Sequence, residues 1–284
     1  MRFATPRSML FVSGEKPERF AKALAAGADL VCIDLEDAVA PAGKAQARAQ
    51  VLSFLAQLPA DRPCAVALRI NAVATREGLA DVTALLQSRL QLDMLVVPKV
   101  EDPQELALLH GWLGEQMRAM AAIVETPLGI EQARALASIA HTRAPSLQAL
   151  MLGGADLSVE LGAEFGWDGL LSARGRLVNA ARTAALQCWD VPHLNLSDLQ
   201  GLAAETRRVA AMGFACKAAI HPSQVPVIHE ALRPPAAEVD WARQLLEAVA
   251  GHEPTQGAFL FQGRMVDAPV LAKARRTLQR ASID

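Results

Sequence analysis

Eight short apolar runs, each followed by a stretch with leucine and alanine at three- and four-residue spacing, constrain this chain more than any other feature. The runs fall at 9–12, 30–34, 64–70, 94–98, 121–125, 149–153, 186–190 and 216–220. A strand that reads as continuously apolar is buried on both faces, which happens when a parallel sheet is covered by helices. Successive strand–helix units without a linker predict an α/β chain closed into a (β/α)8 barrel, with an open doubly wound sheet as the competing arrangement. The 284 residues suffice for either.

Local signals agree with this layout. Asp102-Pro103 followed by Glu105 reads as a capping box with proline at the first helical position, and Thr126-Pro127 repeats the cap-then-proline pattern. Beyond the eighth strand, 237–250 reads as an extra helix, 257–267 holds an apolar segment around Phe259, Leu260 and Phe261, and a basic helix runs over about 268–280. The expected organisation is a catalytic barrel over 1–236 and a C-terminal extension over 237–284 that covers the barrel or a neighbouring subunit.

Composition removes several classes of function. A formal charge of −2, from 28 Lys+Arg against 30 Asp+Glu, gives no broad field for nucleic acid or an anionic membrane surface. The basic N-terminus, Met1-Arg2-Phe3-Ala4-Thr5-Pro6-Arg7, meets Glu15, Lys16 and Glu18 too soon for a signal-peptide core, and no apolar stretch reaches membrane-spanning length. Cys32, Cys64, Cys188 and Cys216 sit in separate apolar runs without CxxC spacing and read as reduced core residues. A cytoplasmic enzyme is expected. GxSxG, GxxxxGK[ST] and GxGxxG patterns are absent from the sequence, and His110, His141, His193, His229 and His252 show no metal or triad spacing.

In a parallel barrel the functional face is built by the loops leaving the strand C-termini. Those positions hold Ser13-Gly14, Asp34-Leu35-Glu36-Asp37, Arg69-Ile70-Asn71, Pro98-Lys99, Glu125-Thr126, Gly153-Gly154-Ala155-Asp156, Asp190 and His221-Pro222. Each carboxylate taken singly reads as a helix cap or loop residue. Together they repel one another unless a cation compensates, so a bound metal is the economical solution. Glu125 and Asp156, following strands five and six, are the best ligand candidates, and hard oxygens without His or Cys favour Mg²⁺ or Mn²⁺ over zinc. Arg69 at a strand end is suited either to a substrate carboxylate or to a structural pair with Glu36 or Asp37. Lys99 is suited to holding an anion, forming a Schiff base or simply facing solvent. His221 reads as a cap on the next helix.

The segments Leu10-Phe11-Val12-Ser13-Gly14, Asp34-Leu35-Glu36-Asp37-Ala38-Val39, Arg69-Ile70-Asn71, Val97-Pro98-Lys99, Ile123-Val124-Glu125-Thr126, Gly153-Gly154-Ala155-Asp156-Leu157, Gly213-Phe214, Lys217, Ile220-His221-Pro222 and Met265-Val266-Asp267 together resemble the citrate lyase β-subunit family, in order and over nearly the whole chain. Ser13, in the family's usual Phe-Val-Pro-Gly turn, and the stretch 190–195 depart from its pattern. The resemblance implies a (β/α)8 lyase of the HpcH/HpaI aldolase group, usually a homo-oligomer and often a trimer, that uses Mg²⁺ to cleave citryl-, malyl- or citramalyl-CoA thioesters to an oxo acid and acetyl-CoA. By motif, Glu125 and Asp156 match Mg²⁺ ligands and Arg69 a substrate-binding arginine. Asp267 matches an aspartate acting in a neighbouring subunit's site. Catalysis is then expected from Arg69, Asp267 and Glu36, with Asp37 and Lys99 helping to hold substrate. A malate-synthase-like or thioesterase activity on the same thioesters, and a non-catalytic CoA-binding subunit, are the alternatives.

Overall fold

The computed structural model describes residues 5–249 and 257–281 and divides the chain into two compact units, Met1–Ala231 and Leu232–Asp284. In the first, β1 (Ser8–Ser13), β2 (Leu30–Asp34), β3 (Ala65–Arg69), β4 (Leu92–Val97), β5 (Met117–Val124), β6 (Leu147–Leu152), β7 (Gln187–Asp190) and β8 (Cys216–Ala219) stand in chain order. All neighbours are parallel, and β1 closes the ring against β8. This decides between the two arrangements left open by periodicity, because closure is a contact between the two ends of the series. The strand expected at 121–125 begins earlier, at Met117: Arg118 interrupts the apolar run by turning its side chain outward, while the residues around it are buried.

The helices between strands are α1 (Phe20–Leu24), α2 (Lys44–Ala56), α3 (Arg76–Ser88), α4 (Pro103–Leu113), α5 (Pro127–Ser138), α6 (Gly154–Leu161), α7 (Trp167–Thr183) and α8 (Leu199–Met212), with α9 (Gln224–Leu232) after β8. Their starts follow the sequence signals. Asp102 accepts from the Gln104 N–H and Thr126 from the Gly129 N–H, each followed by a proline in the first turn.

Alternation along the strands sorts side chains into two layers. Met9, Leu30, Cys32, Ala67, Met94, Val96, Ala119, Ala121, Ile123, Ala149, Met151, Trp189, Cys216 and Ala218 form one buried cluster contributed by every strand, the packed barrel interior. The residues between them face the helices. Parity therefore decides which strand-end groups project from the barrel axis into the C-terminal mouth.

The second unit contains α10 (Ala236–Val249), an antiparallel pair β9 (Phe259–Phe261) and β10 (Arg264–Val266), and α11 (Ala268–Ala281) around Ala242, Leu245, Val266, Leu271 and Ala274. The hairpin was not anticipated from its apolar segment. Gln262 and Gly263 both take positive φ, 47° and 75°, which reverses the chain with the twist a two-residue hairpin requires. Residues 1–4, 250 and 252 of the sequence expectations lie outside the described residues. The four cysteines are free, and among the described residues no helix is long and apolar enough to cross a membrane.

Candidate active site

Asp34 and Arg69 are the last residues of adjacent strands and stand in register as direct partners. Both continue the interior parity of Cys32 and Ala67, so they meet at the barrel mouth. Asp34, 1% exposed, grips the guanidinium from one side, with Arg69 Nε to Oδ1 at 2.7 Å and Nη2 to Oδ2 at 2.6 Å. The same carboxylate accepts the backbone N–H groups of Glu36 and Ala38, at 2.8 and 3.0 Å, and so shapes the acidic turn that follows. Arg69 Nη1 lies 2.8 Å from Glu36 Oε2 and 3.5 Å from Asp37 Oδ2. The Phe11 ring lies beneath the guanidinium, 5.1 Å from Cζ to centroid.

Glu125 follows β5 on the parity of Ile123 and is almost fully buried. Its Oε1 accepts the backbone N–H of Lys99 at 2.8 Å. Gly153, the matching position after β6, leaves the space this carboxylate needs: a Cβ there would stand 2.2 Å from Glu125 Oε2. Asp156 lies in the first turn of α6, so it approaches the mouth from a helix rather than from a strand end. Lys99 joins the two sides. Its Nζ lies 2.5 Å from Glu36 Oε1, 2.9 Å from Asp156 Oδ2 and 3.6 Å from Asp37 Oδ1.

Negative charge is in excess here: Asp34, Glu36, Asp37, Glu125 and Asp156 surround Arg69 and Lys99. Burial, with Glu36 and Asp156 adding repulsion and Lys99 and Arg69 partly offsetting it, pushes the Glu125 carboxyl up to about 7. Burial also raises Glu36 above the usual carboxylate range, against the pull of Arg69 and the hydrogen bond from Lys99. Lys99 loses some of its preference for charge to burial but regains more from Glu36 and Asp156, so it stays above its ordinary value.

These residues suit a hard divalent cation. Glu125 and Asp156 supply carboxylate oxygens, Gly153 keeps Glu125 Oε2 unobstructed, and the surplus negative charge lacks a compensating cation. Among the described residues no group of three or more His, Cys, Asp or Glu converges as a metal cluster. Magnesium needs none, since it ordinarily takes one or two carboxylates and completes its octahedron with water and substrate oxygens.

Five expected site residues, Glu36, Asp37, Arg69, Lys99 and Asp156, are thus joined by direct contacts, and Glu125 by the Lys99 amide. Asp267 belongs to the second unit, where its Oδ1 accepts the Val270 N–H at 3.2 Å at the start of α11. His221 pairs its Nδ1 with Ser223 at 2.8 Å, in the turn before α9. Asp190 does not reach the mouth. It has the parity opposite to Trp189 and lies in the sheet–helix layer with Arg174 and Lys217. Of two further contributors, Asp34 stood on the expected face without a role of its own, and Lys44 was passed over. Asp34 carried a signal in being the one charged residue of an apolar strand, two positions on from Cys32. Lys44, whose Nζ donates to the carbonyls of Leu35 and Glu36 and to Asn71 Oδ1 at 2.6 Å, ties the acidic turn to the residues after β3 and carried none.

A barrel whose mouth brings together an arginine, a lysine and a surplus of carboxylates is matched by the family model described as HpcH/HpaI aldolase/citrate lyase over residues 7–222, and by a second model, C-C bond lyase of the TIM-barrel fold, over 177–284. The chain belongs to the HpcH/HpaI aldolase/citrate lyase family. Among its relatives, the mitochondrial citramalyl-CoA lyase of Homo sapiens is 31% identical, with 99% of this chain and 87% of that protein covered. A citrate lyase subunit beta-like protein of Mycobacterium tuberculosis is 37% identical over 99% of this chain and 97% of its own length. The crystal structure of protein CitE from Mycobacterium tuberculosis in complex with magnesium, acetoacetate and coenzyme A superposes with a TM-score of 0.83, at 35% identity over 99% of this chain and all of that one (100%).

Proposed function

We propose that this protein cleaves a β-hydroxyacyl-CoA of the citramalyl, malyl or citryl type into an oxo acid and acetyl-CoA, with Mg²⁺ held by Glu125 and Asp156. It is a carbon–carbon lyase. The observation that carries the reading is the convergence of these two carboxylates, through Lys99, on the mouth that also presents Arg69. The M. tuberculosis relative's complex with magnesium, acetoacetate and coenzyme A supports the choice of ion and thioester.

The reaction removes the hydroxyl proton, turns that carbon into the oxo group of the acid, and sends the electrons of the broken carbon–carbon bond into the thioester as an enolate. The enolate then takes a proton to become acetyl-CoA. Magnesium, when bound, supplies Lewis acidity to the acid's carboxylate and adjoining oxygen. Arg69 is fixed before substrate arrives, because Asp34 occupies its Nε–Nη2 edge while Nη1, beside Glu36 Oε2 at 2.8 Å, faces the negative charge of the mouth. A donor that does not reorganise during the step is worth more than a mobile one. Glu36 holds Arg69 and Lys99 against that position, and Asp37 and Lys99 offer the polar contacts at its edge.

Asp267 is assigned the proton transfer to the enolate, in a homotrimer whose C-terminal unit covers a neighbour's mouth; the family resemblance supports this, and its hydrogen bond to Val270 is compatible with it. Four free cysteines fit a reducing cytoplasm. Incubating the protein with malyl-, citramalyl- and citryl-CoA, with and without Mg²⁺, tests the proposal: oxo acid and acetyl-CoA should appear together and only with the ion. Free CoA without acetyl-CoA would sink it in favour of a hydrolase. For the shared site, Asp267→Asn and Glu125→Gln chains, each inactive, should regain part of the activity after subunit exchange. No recovery despite demonstrated exchange would leave Asp267 as a helix cap.

A further inference from the structure

Lys99 touches both carboxylates assigned to the metal, and with different parts of itself. Its amide holds Glu125 Oε1, and its ammonium bridges Asp156 Oδ2 and Glu36 Oε1. The backbone bears the mark of this double duty: φ at Lys99 is 53°, a left-handed conformation that costs a residue with a Cβ and that directs the N–H toward β5. Arg69, the other cation, is fastened by paired bonds to Asp34. Lys99 has no such clamp, its side chain is 35% exposed, and a single ammonium on a four-carbon stem can withdraw.

We propose that Lys99 is a positioning residue that serves as the resident cation of the acidic mouth, holding Asp156 toward Glu36 until a divalent ion displaces its ammonium, while its amide keeps Glu125 aimed throughout. This rests on the assignment of Glu125 and Asp156 as ligands. Two cations sharing Asp156 at bonding distance repel, so the ammonium and the ion exclude one another there. The ammonium offsets part of the mouth's negative charge and so weakens its grip on the metal. Once released, it still lies beside Glu36 and Asp37, where a substrate carboxylate meets it. Residue 99 then makes ion binding and readiness for an anionic substrate one event.

The test is direct calorimetric titration of the whole protein with Mg²⁺ alone. Lys99→Asn keeps the amide, tolerates the left-handed backbone and removes the ammonium. It should bind Mg²⁺ roughly tenfold more tightly. Lys99→Arg, which keeps the charge, should not gain. Unchanged or weaker binding by Lys99→Asn overturns the proposal. Wild-type protein gives a check independent of folding: limited acetylation followed by peptide mass analysis should modify Lys99 faster with saturating Mg²⁺ than without it, and equal or slower modification overturns the displacement. If Glu125→Gln and Asp156→Asn also bind Mg²⁺ normally, the failure lies in the ligand assignment rather than in Lys99.

Discussion

Two clusters of buried charge lie against the barrel strands, and they are built to opposite specifications. Behind β7 and β8, Asp190 and Glu205 face Arg174 and Lys217, two carboxylates against two cations, with Lys217 Nζ 2.6 Å from Asp190 Oδ2 and Arg174 Nε 2.9 Å from Oδ1. Asp190 and Lys217 are inaccessible to solvent. In the mouth, carboxylates outnumber cations, Asp37 and Asp156 reach solvent, and Lys99 holds an unfavourable backbone conformation. In the balanced cluster each charge meets an opposite one supplied by the chain itself. The unbalanced one leaves negative charge for a bound cation to offset, which is the contrast between a structural network and the proposed site.

The largest expected effect tests the unbalanced side. Glu125→Gln or Asp156→Asn removes a ligand, and turnover should fall roughly 10³-fold or more, equivalent to about 4 kcal/mol of lost stabilisation in the transition state. Calorimetry should show weakened Mg²⁺ binding while the circular dichroism spectrum stays native. Unchanged Mg²⁺ affinity in both variants would erase the contrast between the clusters.

Next in size is damage to the balanced side. Lys217→Met takes from Asp190 and Glu205 the cation they share, leaving Arg174 and the His193 ring beside Glu205, and breaking a buried pair of this kind costs about 3–5 kcal/mol. The denaturation midpoint should drop accordingly, whereas KM and kcat of the folded protein should change little. A variant of normal stability with a raised KM would place Lys217 in the site.

A smaller effect distinguishes the clusters through pH. The Glu125 carboxyl, pushed up to about 7 by burial, holds its proton more tightly in the folded protein than in the unfolded chain, where its ordinary value is 4.5. The metal-free protein should therefore gain stability relative to Glu125→Gln as pH falls from about 7 to 4.5, by up to about 3 kcal/mol. Over the same fall the proton competes with the metal, so Mg²⁺ affinity should decline. Parallel stability profiles for the two proteins would contradict the burial argument.

Much of this was legible in the sequence. The eight strands announce themselves as apolar runs, and the helix caps at Asp102 and Thr126 lie where their spacing puts them. What escaped was mostly geometry that emerges on closure. Asp34 and Asp190 look alike at the end of apolar strands, yet one belongs to the parity of Cys32 and the other to the opposite parity from Trp189, so they project to different layers. The role of Gly153 is unreadable from one strand, because the group it accommodates is Glu125, which follows the neighbouring strand β5. The β9–β10 hairpin was missed because Gln262-Gly263 lacks the asparagine or aspartate that usually marks such a turn.

The seam between β1 and β8 gives the chain a timetable. Met9 pairs with Leu30 on one side and with Ala218 on the other. The first partner emerges from the ribosome almost at once. The second follows about 200 residues later, roughly 10–40 s at ordinary synthesis rates of about 5–20 residues per second. Throughout that interval β1 carries an open edge of unsatisfied N–H and carbonyl groups, the feature that recruits foreign strands. The finished ring has no such edge, so the protein is most exposed to misassociation during synthesis, in the moments before its last strand arrives.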